Sequence, residues 1–129
     1  MAIEVRFPGG VAVDVEVKGH VIHTDQPERA GGGGTGPSPF DVFLASIAAC
    51  AGYFALRFCQ ERNIDTAGLG VTLEVERDPE RHRVSKLTTR VRLPEGFPEK
   101  YRKAIARAVD ECTVKRHILE PPAFETVVE

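Results

Sequence analysis

The chain has 129 residues, of which 42% are apolar and 28% are charged, and its formal net charge is -2. This length supports one hydrophobic core and is too short for two ordinary domains, so we expect a single domain over residues 1–129. The balanced charge excludes a basic surface for nucleic acid or for an anionic membrane. The first residues lack an apolar signal core, and three cysteines do not make a secreted disulfide scaffold, which favours the cytoplasm.

The first 25 residues predict three β-strands. Apolar and polar side chains alternate over residues 3–7 and again over residues 11–17, with a Pro-Gly-Gly turn between them, which is typical of a hairpin with one solvated face. Residues 20–25 can form a third short strand after Gly19. Residues 26–38 contain four consecutive glycines, and this composition predicts a flexible loop.

A long helix is predicted from residue 38 to about residue 62. Ser38 and Pro39 suit the N-cap and the first helical position, and Asp41 suits the first turn. Residues 42–56 carry no charge, but fifteen such residues are too few to cross a bilayer comfortably. A helix that is apolar on every face is typical of the centre of a globule or dimer, so we expect an obligate homodimer without a membrane partner.

The second half of the chain predicts another hairpin followed by helices. Residues 69–77 and 86–93 alternate on either side of an Asp-Pro-Glu turn. Residues 98–111 have apolar side chains at helical spacing, and a second short helix can run from Cys112 until Pro121 stops it. Residues 124–128 predict a closing strand. The fold class is therefore α+β, with three strands, a long buried helix, two strands, helices and a final strand.

The cysteines leave two interpretations open. Cys50 and Cys59 are nine residues apart on one helix, which puts them on opposite faces and about 13 Å apart along the axis, too far for a disulfide. Free cysteine is usually an inert packing residue. Cys50 and the distant Cys112 are therefore either two inert core cysteines or a paired redox site.

Residues 36–50, with the sequence Gly-Pro-Ser-Pro-Phe-Asp-Val-Phe-Leu-Ala-Ser-Ile-Ala-Ala-Cys, resemble the signature helix of the OsmC/Ohr family of osmotically induced and organic-hydroperoxide-resistance proteins. The glycine-rich loop before this segment, the hairpin after it and the Cys-Thr-Val sequence at Cys112 lie where that family has them. The resemblance covers nearly the whole chain. It implies an α+β fold assembled as an intertwined homodimer, with two thiols in each site and no cofactor.

The same resemblance implies a thiol-dependent peroxidase with an antioxidant role in the oxidative stress response. Cys50 would be the thiolate that attacks the O–O bond of an organic hydroperoxide, and Cys112 would resolve the sulfenic acid as a disulfide. A lipoyl-type dithiol would be the reductant, with small thiols as the alternative. The alternative function is a non-catalytic dimer of the same fold that binds a small molecule or has a structural role, with vestigial thiols.

Two departures from the family pattern favour that alternative. Peroxidases of the family carry a glutamate ten residues before the first cysteine, where this chain has Phe40, and an arginine near the first hairpin, where the turn has none. A mid-helix thiolate needs nearby positive charge. We expect Arg29 in the glycine-rich loop to supply it, with Arg6 as the fallback, and Asp41 to hold the guanidinium by a charge-assisted hydrogen bond.

No metal site is predicted. His20 and His23 are three residues apart on a presumed strand, so their side chains lie on opposite faces. His117 follows Cys112 by five residues, but a zinc site would need two further ligands that the sequence does not place near them.

Overall fold

The computed structural model describes residues 1–129, which divide into two compact units, Met1–Ala45 and Ser46–Glu129. The order of elements is three strands, a long helix, two strands and two further helices, as the α+β prediction requires. The long helix, α1 (Pro39–Glu61), begins in the first unit and ends in the second.

The first unit contains an antiparallel sheet of β1 (Glu4–Gly9), β2 (Ala12–Val17) and β3 (His20–Thr24), which confirms the three predicted strands. The register pairs Arg6 with Asp14 and Asp14 with His23, so these three side chains form a row across one face of the sheet.

The glycine-rich segment after β3 is held by backbone hydrogen bonds, whereas the sequence predicts a flexible loop. The N–H of Asp25 donates to the carbonyl of Pro37 at 3.1 Å and closes the two ends of the loop, while the N–H of Gly34 donates to Gln26 at 3.0 Å. At Gly32, a Cβ would lie 1.9 Å from the carbonyl oxygen of Gln26. Glycine is therefore needed at this position because the backbone packs too closely for a side chain.

Helix α1 begins as the sequence predicts. The N–H of Asp41 donates to the Ser38 hydroxyl and the N–H of Ser38 donates to the Asp41 carboxylate, both at 3.1 Å, which is the reciprocal pattern of a capping box. By length and composition α1 would also qualify as a membrane span, a test that the core helix of a globular protein passes equally well.

The prediction that α1 is buried on every face is not met by the chain alone. One stripe of the helix is buried, whereas the Tyr53 side chain is 58% exposed and Phe40 and Phe43 are also exposed. The residues of the buried stripe are Ile47, Ala51, Ala55, Phe58 and Cys59. Large apolar side chains on the remaining faces therefore stay partly exposed in the single chain.

The second unit contains the hairpin of β4 (Gly70–Asp78) and β5 (Arg83–Arg92), a 3-10 turn at Glu99–Tyr101, and the helices α2 (Arg102–Asp110) and α3 (Thr113–Leu119). Its core lies where the second half of α1 meets α2, and apolar side chains of the hairpin pack against this cluster. The buried members of the core are Ala51, Ala55, Phe58, Cys59, Ile105 and Val109.

The predicted closing strand at residues 124–128 is wrong for this chain. No strand is formed after α3, and Phe124 in this segment is 90% exposed. A strand must pair its backbone groups with a neighbouring strand, and no strand of the same chain pairs with this segment. Residues 124–128 therefore remain without a strand partner in their own chain.

Candidate functional site

The fold brings Cys50 and Cys112 together within the second unit. Cys50 lies in the middle of α1 and is half-buried, whereas Cys112 is 2% exposed and is the second of the two residues between α2 and α3. Cys112 has φ -47° and ψ 123°, so the chain leaves the helical conformation there and α3 starts in a new direction. The Cys112 thiol donates a hydrogen bond to the Cys50 sulfur.

The surroundings of Cys50 favour its thiolate. Burial raises the pKa of Cys50, but hydrogen bonds from the backbone N–H of Val114, the thiol of Cys112 and the backbone N–H of Thr113 together lower it below its ordinary value. These donors approach from the start of α3, so the thiolate is stabilised by backbone dipoles and a neighbouring thiol. A cation is not required for the direction of this shift.

The pKa of Cys112 moves the opposite way. Burial raises the pKa of Cys112 first, and its hydrogen bond to Cys50 raises it further, while the backbone N–H groups of Lys115 and Val114 act against this rise. Cys112 is thus held as a thiol while it stabilises the thiolate of its neighbour. The contact between the two cysteines therefore moves their pKa values in opposite directions.

Cys59 has neither of these features. It is 0% exposed and belongs to the core, and burial raises its pKa, an effect that the charge of Arg62 only partly opposes. A buried thiol with a raised pKa is a poor nucleophile. These surroundings fit a packing residue.

Comparison with known proteins assigns the chain to a family. The model of the family described as OsmC-like protein matches residues 31–127, a range that includes Cys50 and Cys112. The chain belongs to the OsmC family. No curated protein matches the sequence.

Solved structures share the OsmC fold over most of the chain. A Psychrobacter arcticus protein provisionally assigned to the osmotic-stress-induced and detoxification response has 21% identity and a TM-score of 0.75, over 90% of this chain and 86% of that one. The organic hydroperoxide resistance protein OsmC of Legionella pneumophila has 20% identity and a TM-score of 0.57, over 91% and 87%. The organic hydroperoxide resistance protein OhrB of Bacillus subtilis has 21% identity and a TM-score of 0.51, over 89% and 87%.

The other predicted site residues of this OsmC chain lie in the first unit. Arg29 is in the 3-10 turn Glu28–Ala30 of the glycine-rich loop, and Asp41 caps α1 through Ser38. Arg6, the fallback cation, forms an ion pair with Glu16 at 2.8 Å on the adjacent strand. The roles of Arg29 and Asp41 at Cys50 stay predictions.

Sequence reasoning missed the backbone donors at Thr113 and Val114. They act because a helix starts directly after Cys112, and the residues that usually mark such a start are Ser, Thr, Asp and Asn. Cysteine is not among them, so the sequence predicts a second short helix from Cys112 without marking this residue as its N-cap. The two proline residues after α3 were the only local sign that a second short helix was present.

Proposed function

We propose that this OsmC protein is a thiol-dependent peroxidase that reduces organic hydroperoxides through Cys50 and Cys112. The observation that supports the proposal is the opposite displacement of the two pKa values in a hydrogen-bonded pair, downward for Cys50 and upward for Cys112. A peroxidase needs this difference, because the first thiol must attack as a thiolate and the second must wait for the product of that attack.

In the first step the Cys50 thiolate attacks the distal oxygen of the hydroperoxide. The sulfur–oxygen bond forms as the O–O bond breaks, so the sulfur is oxidised by two electrons to sulfenic acid and the alkoxide takes a proton and leaves as an alcohol. The N–H groups of Val114 and Thr113 and the Cys112 thiol stabilise the attacking sulfur before this step. We assign Arg29, held by Asp41, the further role of a cation that favours the thiolate.

In the second step the sulfur of Cys112 attacks the sulfenic sulfur of Cys50. A disulfide forms, and the oxygen leaves as water with the thiol proton of Cys112. The two side chains are already close enough for each to shift the pKa of the other, which supports this step. A dithiol of the lipoyl type then reduces the disulfide by exchange and returns both thiols. This chemistry suits the reducing cytoplasm, and we place the protein there.

We further propose that the functional form is a homodimer. Apolar side chains are exposed in the sheet of the first unit, on α1 and in the C-terminal segment, with Phe7 81% and Phe124 90% exposed. Isolated soluble chains rarely leave so many large apolar side chains uncovered. A second copy of the chain would supply the cover that α1 lacks.

One observation favours the alternative, a dimer that binds a small molecule without catalysis. A cavity of about 500 Å³ lies between α1 and α2, a volume suited to a small ligand. Its lining includes Tyr53, Phe54, Arg57 and Arg107, and neither cysteine of the pair contributes to it. A binding function located there would leave the thiols without a role.

Peroxide consumption by matched cysteine variants tests the proposal. The wild type should consume cumene hydroperoxide continuously with dihydrolipoamide and more slowly with glutathione. Cys50→Ser should abolish consumption, Cys112→Ser should stop after one turnover and over-oxidise, and Cys59→Ser, the matched control, should keep the wild-type rate. A wild type that is inactive with both reductants, or a fully active Cys50→Ser variant, would reject the peroxidase in favour of the binding protein.

A further inference from the structure

Four polar side chains connect the first sheet to the glycine-rich loop. On β3, His23 contacts the Asp14 carboxylate through Nδ1 at 2.5 Å and the Thr35 hydroxyl through Nε2 at 2.8 Å. The Thr35 hydroxyl also donates to the Asp25 carboxylate at 2.7 Å. The result is a continuous chain of hydrogen bonds from Asp14 through His23 and Thr35 to Asp25.

Only one arrangement of protons satisfies every contact in this chain. The Thr35 hydroxyl has a single proton, which it donates to Asp25, so its contact with Nε2 is a hydrogen bond only if Nε2 carries a proton. The Asp14 carboxylate only accepts, so Nδ1 must carry a proton as well. All of these contacts are hydrogen bonds at once when both ring nitrogens of His23 carry a proton.

The Asp25 carboxylate, at one end of this series of hydrogen bonds, is ionised over the whole neutral range. This side chain is 4% exposed, and hydrogen bonds from the Thr35 hydroxyl, the Gln26 N–H, the Thr35 N–H and the Gly33 N–H lower its pKa to about 2, against the opposing effect of burial. Asp25 therefore remains an acceptor throughout the range in which histidine titrates. It cannot supply the missing proton if His23 loses one.

The loop also packs directly on the histidine ring. A Cβ at Gly36 would lie 2.9 Å from Cδ2 of His23, so the backbone of the loop reaches the ring with no room for a side chain. The charged groups facing His23 from the sheet are Asp14 beside it and Arg6 beyond Asp14 in the same row. Arg6 is paired with Glu16. From the loop, Asp25 acts on His23 through Thr35.

We propose that this chain of groups is a proton-operated latch on the glycine-rich loop. The loop is held against β3 while His23 carries a proton on both ring nitrogens, and it loosens when His23 loses one. When Nε2 loses its proton, the single hydroxyl proton of Thr35 lies between two acceptors, Nε2 and the Asp25 carboxylate, and one of these two contacts becomes repulsive. Because the loop carries Arg29, the latch would also control the cation assigned to Cys50, and that consequence alone rests on the proposed function.

Amide hydrogen exchange tests the latch without any thiol chemistry. The N–H groups of Gly33 and Thr35 donate to Asp25 and report whether the loop is closed. In a Cys50→Ser background, their protection, corrected for base catalysis, should fall about tenfold or more between about pH 5.5 and about pH 8.5, as expected for losing one charge-assisted hydrogen bond. Over the same range, ring ¹⁵N shifts should pass from two protonated nitrogens to one.

The matched variants are His23→Gln and His20→Gln, which change two histidines of the same strand. His20→Gln should keep the pH-dependent protection, and His23→Gln should lose it. Equal pH dependence in both variants, or an unprotonated ring nitrogen while the loop is fully protected, would overturn the latch. If His23→Gln does not fold, Thr35→Val breaks the same chain and the wild-type ring shifts still decide. Loss of loop protection, with unchanged alkylation of Cys50 in the same variant on the background that keeps this thiol, would reject only the role of Arg29.

Discussion

One equivalent of organic hydroperoxide per chain should reduce the number of free thiols from three to one. The hydroperoxide accepts two electrons, and the hydrogen-bonded pair of Cys50 and Cys112 supplies both when it closes to a disulfide. The remaining thiol should be Cys59, which is fully buried in the core and about 13 Å along α1 from Cys50. We therefore expect two thiols to be lost, those of Cys50 and Cys112.

The assay is a thiol count in denaturant after an acid quench, with peptide mapping of the product. The oxidised chain should be about 2 Da lighter, as loss of two hydrogens requires, with a Cys50–Cys112 crosslink. Cys59→Ser should go from two thiols to none. Cys112→Ser should lose one thiol and yield a sulfenic acid that dimedone traps. Three thiols after treatment, or a crosslink that contains Cys59, would refute the pairing inferred from the hydrogen bonds.

Three further predictions test the surroundings of this pair and of the loop. Cys50 should be alkylated at lower pH than Cys112 or Cys59, because its pKa is lowered and theirs are raised. If Arg29 acts on the thiolate, Arg29→Ala should raise the pH at which Cys50 is alkylated. Competitive labelling followed by mass spectrometry measures the alkylation pH in both proteins. Sedimentation should give a dimer of the 14.1 kDa chain, and a stable monomer at micromolar concentration would contradict it. Asp25 is ionised more easily in the folded chain, with a pKa of about 2 against 3.8, so its contribution to stability should be present above about pH 4 and lost as the pH falls through about 2. Thermal melting should show that loss in the wild type and not in Asp25→Asn.

Local patterns were sufficient to predict most of the fold from the sequence. Alternation identified β1, β2, β4 and β5, the break at Gly19 indicated β3, and Ser38 with Asp41 identified the start of α1, because in each case the decisive interactions lie within a few residues. The strand expected at residues 124–128 failed because residue composition describes one strand alone. Whether a strand forms depends on a partner strand, which is a non-local condition.

Only part of the candidate site could be predicted, because the rest also depends on contacts between distant parts of the sequence. A resemblance to the family indicated Cys50 and Cys112, but the N–H groups of Thr113 and Val114 that lower the pKa of Cys50 come from a helix start over 60 residues later in the chain. The link from Asp14 to His23 also depends on the register between β2 and β3. Neither arrangement has a local signature, so the sequence led instead to Arg29 as the group that stabilises the Cys50 thiolate.

The close packing at Gly32 and Gly36 has a consequence for mutational tolerance. A side chain at Gly32 would collide with the Gln26 carbonyl, and one at Gly36 would collide with the His23 ring. A saturation scan should therefore find that alanine is strongly destabilising at these two half-buried loop positions. Gly52 in the middle of α1 has no atom within 4 Å of such a Cβ, and alanine there should be accepted by the isolated chain. Composition alone would rank these glycines in the opposite order, with the loop as the replaceable linker and the helix as the constrained element.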